Sequence, residues 1–131
     1  MTKSPQESNS QSHLLVVEDD LPTQQFMKAV LRKNYTIHCA ASADEARTML
    51  NQHPIQLILM DLSIQGKENG LQFTKSLRNG SRWNNLPIIA LTAHAFQRDR
   101  DNALEAGCST FITKPFNLNE LLMSSSSKCD T

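Results

Sequence analysis

Four places in this chain carry residues whose types could do chemistry together: Glu18-Asp19-Asp20, Asp61, Thr92-Ala93 and Lys114-Pro115. Carboxylates gathered at one spot repel one another, and their pKa values rise unless a cation neutralises them. An all-oxygen set suits a hard ion, and magnesium fits, because it keeps several waters and shares its shell with a phosphoryl oxygen. A carboxylate is also a nucleophile toward phosphorus. Such transfer is catalysed mainly by positioning and by neutralising charge on the equatorial oxygens. In that chemistry Asp61 attacks and becomes an aspartyl phosphate, and Glu18, Asp19 and Asp61 hold the ion. The Lys114 ammonium and the Thr92 hydroxyl take the remaining oxygens. Singly, each of these residues reads more readily as a solvated turn, a helix cap or a loop. Jointly they are chemically complementary, and each group closes an apolar run.

These residues meet only if the runs before them are strands ending on one edge of a sheet. Strands are expected near Leu14 to Val17, Thr36 to Cys39, Ile55 to Met60, Pro87 to Thr92 and Ser109 to Thr113, each followed by a helix. Phe26, Ala29, Val30 and Lys33 repeat at helical spacing, as do Phe73 and Leu77. Pro22 suits a helix start, Ser42-x-x-Glu45 and Asn117-x-x-Glu120 look like capping boxes, and Gly80 and Gly107 fall where helices should end. The first, third and fourth runs (LLVV, IQLILM, PIIALT) are almost continuously apolar, as expected of parallel strands covered on both faces. The second, with Thr36 and His38, reads as an edge strand. Repeated βα units of this kind give a doubly wound α/β sandwich, whose sites form at the carboxyl ends of the strands.

The segments LLVVEDD, LILMDLS, IIALTA and FITKPF resemble the motifs of response-regulator receiver domains, the phosphoacceptor half of two-component signalling, over residues 13 to 123. The resemblance implies a flavodoxin-like three-layer fold: five helices around a five-stranded parallel sheet of order 2-1-3-4-5, an order the family is known for. It implies that Asp61 is the phosphoacceptor. Magnesium, or manganese in its place, would be held by Glu18, Asp19, Asp61 and the Ser63 backbone carbonyl. The phosphate would be met by Lys114, Thr92 and the Ala93 backbone N–H. Thr92 and Phe111 would be the switch pair that alters the face made by the fourth helix, fifth strand and fifth helix. Ser63 and His94 would tune loss of the phosphate, and the Lys114-Pro115 peptide would be cis. The donor would be a sensor histidine kinase or a His-containing phosphotransfer protein, or a small acyl phosphate, and a downstream protein would read the result. The chain departs from the family in the stretch LSIQGKENG after Asp61, which lacks a Pro and has one extra residue before Gly70. Either Gly66 or Gly70 could take a positive-φ turn there.

Bulk composition narrows the alternatives. Thirteen Lys plus Arg balance thirteen Asp plus Glu, so no global field draws the chain to nucleic acid or anionic lipid. Cys39, Cys108 and Cys129 are far apart and odd in number, which argues against a disulfide framework or a zinc site. No apolar run approaches membrane-spanning length, and the reading is a cytoplasmic protein without membrane or direct nucleic-acid partners. Residues 1–12 form a polar tail, 13–123 the domain, and 124–131 a serine-rich tail or the start of a linker. The chain is expected as a monomer or a phosphorylation-dependent dimer. It is not an enzyme beyond self-catalysed phosphotransfer and autodephosphorylation. A flavin-nucleotide carrier of this architecture would need a Ser/Thr-rich phosphate loop where three carboxylates stand. A haloacid-dehalogenase-type phosphatase would need an acid at position 63, which is Ser. The remaining alternatives are a pseudo-receiver, acting as a phosphorylation-independent interaction module, and the excised receiver of a larger hybrid kinase.

Overall fold

The computed structural model describes residues 11–80, 82–93 and 96–114. Strands and helices alternate through them: β1 (Ser12–Val17), α1 (Leu21–Leu31), β2 (Tyr35–Ala40), α2 (Ala43–Gln52), β3 (Ile55–Asp61), α3 (Gly70–Arg78), β4 (Ile88–Thr92), α4 (Gln97–Ala106) and β5 (Thr110–Thr113). The five strands form one sheet of order β2-β1-β3-β4-β5, with every pairing parallel. The four helices among the described residues match the first four expected, and the fifth, from Asn117 onward, lies outside those residues.

The near-continuous apolar runs feed two cores because successive strand residues point to opposite faces. Leu15, Val17, Ile58, Met60, Ile88 and Ala90 face one core, closed by Ala46 and Leu50 of α2, Phe73 and Leu77 of α3 and Ala103 of α4. Leu14, Val16, Leu57, Leu59, Ile89 and Leu91 face the other, closed by Met27 and Leu31 of α1. The buried face of α1 therefore differs from the spacing first read: Phe26 is 49% exposed, and Ala29 also lies outward. Docking on the sheet buries Met27 and Leu31, with Val30 half-buried against the same core as the spacing suggested, and turns Phe26 and Ala29 outward. The Phe73-Leu77 stripe of α3 is buried as its spacing suggested, and β2 is an edge strand.

Helix termini show where local chemistry acts. Asp20, not a separate Ser or Thr, caps α1, accepting from the Thr23 N–H at 3.1 Å. At α2 the Ser42 hydroxyl accepts from the Glu45 N–H at 3.2 Å, but the Glu45 carboxylate accepts from the Ala41 N–H rather than that of Ser42. A reciprocal capping box stands instead at α3, between Asn69 and Gln72. Gly107 ends α4 at φ 114°, and in the long β3–α3 loop it is Gly66, at φ 123°, that takes the positive-φ turn. Gly70 is needed for closeness: a Cβ there would come within 2.6 Å of the Leu62 Cα and 2.7 Å of the Asp61 carbonyl oxygen.

Candidate functional site

Register brings the charged residues together. Val17 of β1 pairs with Met60 of β3, so Glu18 and Asp61, the next residues along the chain, emerge side by side. Thr92 pairs with Thr113, so Lys114 leaves β5 just beyond Thr92, and its N–H donates to the Thr92 carbonyl at 2.6 Å. The Glu18 N–H donates to the Ala40 carbonyl at 2.9 Å, carrying the β1–β2 ladder one residue past the strand.

Glu18 and Asp61 are 1% and 2% exposed, an expensive position for two carboxylates. The Lys114 ammonium spans them, 3.0 Å from Glu18 Oε1 and 3.4 Å from Asp61 Oδ2. Asp61 Oδ1 accepts from the Ser63 N–H at 3.0 Å and the Ser63 hydroxyl at 2.9 Å. Asp19 lies at the solvent side, and oxygens of Glu18, Asp19 and Asp61 fall within 4.8 Å of one another. One ammonium does not balance three carboxylates, and the electrostatics register the deficit. Burial first, and then the neighbouring Asp61, pushes the Glu18 carboxyl up to about 7, against the opposing pull of Lys114. Burial would raise Asp61 too, but hydrogen bonds from Glu18 and Ser63 and the charge of Lys114 prevail and hold it below the usual carboxylate range. Without a further cation the Glu18 carboxyl therefore binds a proton at higher pH than an ordinary carboxyl does. Burial would lower the Lys114 ammonium, and the Glu18 and Asp61 carboxylates outweigh it and hold the group above its ordinary value. An oxygen-only cluster with surplus negative charge, open on the Asp19 side, fits a hard divalent ion.

The other expected residues fall as follows. Thr92 is 8% exposed and Ala93 exposed, and with Leu62, Ser63 and Asp99 they border a cavity of about 160 Å³ beside the acidic cluster. Phe111, half-buried in mid-β5, has the Arg100 guanidinium 4.6 Å above its ring. The Ser63 carbonyl accepts from the Gln65 side-chain amide at 3.2 Å. His94 and Pro115, with the proposed cis peptide, lie outside the described residues. Two features lie beyond the sequence reading, although Asp20, two residues before Pro22, stands where an N-cap is expected. Asp20 is used up as a cap, its carboxyl held low by the Thr23 hydroxyl. Gln65 donates its backbone N–H to Asp19 Oδ2 at 3.1 Å, a contact between residues 46 positions apart.

A parallel 2-1-3-4-5 sheet with an acidic pocket and a lysine at its carboxyl edge defines a class, and the family comparison agrees: residues 14–125 match the response regulator receiver domain. The chain belongs to this family, the phosphoacceptor modules of two-component signalling. Over 110 residues, 83% of its length, it is 37% identical to the phosphate regulon transcriptional regulatory protein PhoB of Escherichia coli and 34% identical to the aerobic respiration control protein ArcA of the same organism. It spans 48% and 44% of those two proteins, less than half of each. Among solved structures it superposes at TM-score 0.83 and 31% identity on the receiver domain of a Pseudomonas aeruginosa sensor histidine kinase with magnesium coordinated in its active-site cleft, covering 93% of this chain and 100% of that one. A putative response regulator of Chloroflexus aurantiacus gives TM-score 0.87 at 27% identity, with 93% and 100% covered. No helix among the described residues is long and apolar enough to cross a membrane.

Proposed function

We propose that Asp61 is the phosphoacceptor, and that residues 13–123 form a switch loaded by a histidine kinase or a His-containing phosphotransfer protein, or by a small acyl phosphate. The observation that carries this reading is the buried Glu18–Lys114–Asp61 constellation, with ammonium-to-oxygen distances of 3.0 and 3.4 Å. Asp61 Oδ1 is tied to Ser63, which orients the carboxylate, while Oδ2 faces Lys114. A carboxylate oxygen of Asp61 attacks phosphorus, the bond from phosphorus to the donor imidazole nitrogen breaks, and the imidazole leaves with that electron pair. Lys114, the Thr92 hydroxyl and the Ala93 N–H meet the phosphoryl oxygens. A magnesium or manganese ion held by Glu18, Asp19, Asp61 and the Ser63 carbonyl supplies, when bound, neutralisation of the phosphoryl charge. The magnesium in the cleft of the Pseudomonas relative supports that choice.

The added charge of the phosphate, roughly −1.5 to −2, would draw Thr92 inward and let Phe111 turn, altering the surface around α4 and β5 that a downstream protein reads. Ser63 and His94 would govern access of the hydrolysing water. The exchange takes place in the cytoplasm, and the chain acts on proteins rather than on nucleic acid or membrane, as a monomer or as a dimer formed on phosphorylation. The test is incubation with acetyl phosphate and magnesium, followed by intact-mass spectrometry. Wild type gains one phosphoryl group and Asp61→Asn gains none. A folded wild type that gains nothing would leave the pseudo-receiver, and equal gain by both proteins would place the acceptor elsewhere.

A further inference from the structure

The loop that carries this chain's departure from its family also reaches two of the expected metal ligands. Gln65 donates its backbone N–H to Asp19 Oδ2 at 3.1 Å and its side-chain amide to the Ser63 carbonyl at 3.2 Å. Asp19 is exposed, and a carboxylate on a solvent-facing turn samples many rotamers unless something holds it. The same carboxylate offers an oxygen to the cluster it shares with Glu18 and Asp61, so the Gln65 bond restrains one member of that cluster.

Gln65 itself needs an anchor, because the turn that follows runs through Gly66 at φ 123°, a glycine without a side chain to pack, at a place where even a Cβ would meet no neighbour within 4 Å. The anchor is two residues beyond that glycine. Glu68 forms a two-pronged ion pair with Arg47 of α2, through Nη1 to Oε1 and through Nη2 to Oε2 at 3.0 Å. Forked pairs of this type fix orientation as well as distance. Arg47 is held in turn by the Ser76 hydroxyl at 3.0 Å and lies 4.9 Å from the Phe73 ring centroid, so α2, α3 and the loop share one contact.

We propose that Arg47 and Glu68, acting through Gln65, are positioning residues for the metal site: they hold the loop so that Asp19 and the Ser63 carbonyl present oxygens toward the ion. This inference rests on the metal-binding reading of Glu18, Asp19 and Asp61. None of the three residues touches the reacting atoms. Losing a group bonded directly to a metal ligand costs roughly 10–100-fold in affinity, and an anchor one step further out is expected to cost roughly three- to tenfold.

The experiment is calorimetric titration of magnesium chloride into the full chain as wild type, Glu68→Gln and Gln65→Ala, with manganese binding followed by electron paramagnetic resonance and amide exchange at position 65 followed by NMR. Gln65→Ala leaves the Arg47–Glu68 pair intact, so it reports on the site even if Glu68→Gln disturbs the loop. Both variants are expected to bind both ions more weakly and to reach the wild-type extent of phosphorylation at saturating magnesium; Glu68→Gln, which frees the loop, is expected also to exchange faster at position 65, whereas Gln65→Ala keeps the backbone N–H to Asp19 and loses only the side-chain bond to the Ser63 carbonyl. Faster exchange in Glu68→Gln with unchanged affinity in both variants would overturn the positioning role while leaving the metal site standing. Affinity lost only together with the folded circular-dichroism spectrum would likewise reduce the pair to a structural brace. A wild type that binds neither ion would remove the metal-binding reading, and the inference with it.

Discussion

Lys114 contributes the ammonium that lies between Glu18 and Asp61, and its loss should be felt in rate before it is felt in fold. Lys114→Met keeps the apolar stem and removes the charge that meets the incoming phosphoryl oxygens. By analogy with deletion of a single charge-stabilising donor, transfer from acetyl phosphate should slow by roughly 10²–10³-fold. Stopped-flow or timed mass spectrometry at saturating magnesium measures this, and a loss below about tenfold would remove Lys114 from the transition state. Glu18 carries a second expectation. Its carboxyl is raised from 4.5 to about 7, so the folded chain without metal binds a proton there that the unfolded chain has already released. The associated stability is fully present below 4.5 and is lost as pH rises through about 7. A divalent ion must displace that proton, so magnesium affinity should rise with pH up to about 7 and then level. Calorimetry in buffers of different ionisation enthalpy would detect the released proton, and a pH-independent affinity would contradict the shift.

Among the elements, the end of β3 and the start of α3 are pressed against each other. Gly70 begins α3 where a Cβ would stand 2.6 Å from the Leu62 Cα and 2.7 Å from the Asp61 carbonyl oxygen, both backbone atoms. Backbone cannot swing aside as a flexible side chain can, so Gly70→Ala must move the strand end that carries Asp61. Overpacking of this kind costs about 1–3 kcal/mol, and the denaturant midpoint should fall accordingly. The same displacement should weaken magnesium binding, which distinguishes it from a simple change in helix propensity. An unchanged midpoint would mean that the loop yields without strain. The stripe chosen by α1 teaches a related lesson: spacing alone allowed Phe26 or Met27 to face inward, and the sheet buried Met27.

Across the whole molecule, the two ends of the sheet respond oppositely to pH. At the end away from the acidic cluster, His13 and His38 share a ring-nitrogen hydrogen bond of 2.9 Å, and His53 stacks on His38 with ring centroids 3.9 Å apart. Burial first, then the neighbouring His53 and His13, depresses the His38 pKa below its ordinary 6.5. The unfolded chain therefore takes up a proton there more readily, and stability falls as pH drops below 6.5. His38→Phe keeps a flat ring in the stack and should remove part of that acid-side loss. Thermal melts from about pH 5 to 7 would show it as a flatter profile, and a profile matching wild type would rule out His38 as the source.

Much of this protein is written locally. Continuous apolar runs such as LLVV and IQLILM and the period-3.6 Phe73-Leu77 stripe mark the alternation of strands and helices, and the carboxylates and lysine stand at strand ends because the apolar runs stop beside them. These signals depend only on neighbours along the chain. The strand order was implied by family resemblance rather than by pattern. Long-range partnerships were invisible, including Gln65 on Asp19, Glu68 on Arg47 and the histidine stack. Each depends on which strands lie adjacent and in what register, and no periodicity encodes that. Tertiary structure also separated three adjacent carboxylates by duty: Glu18 is buried under Lys114, Asp19 is tied to the loop, and Asp20 caps α1. The side-chain types made phosphoryl chemistry possible, and only the parallel packing of β1, β3, β4 and β5 could bring residues 18, 61 and 114 within reach of one ion-pair network.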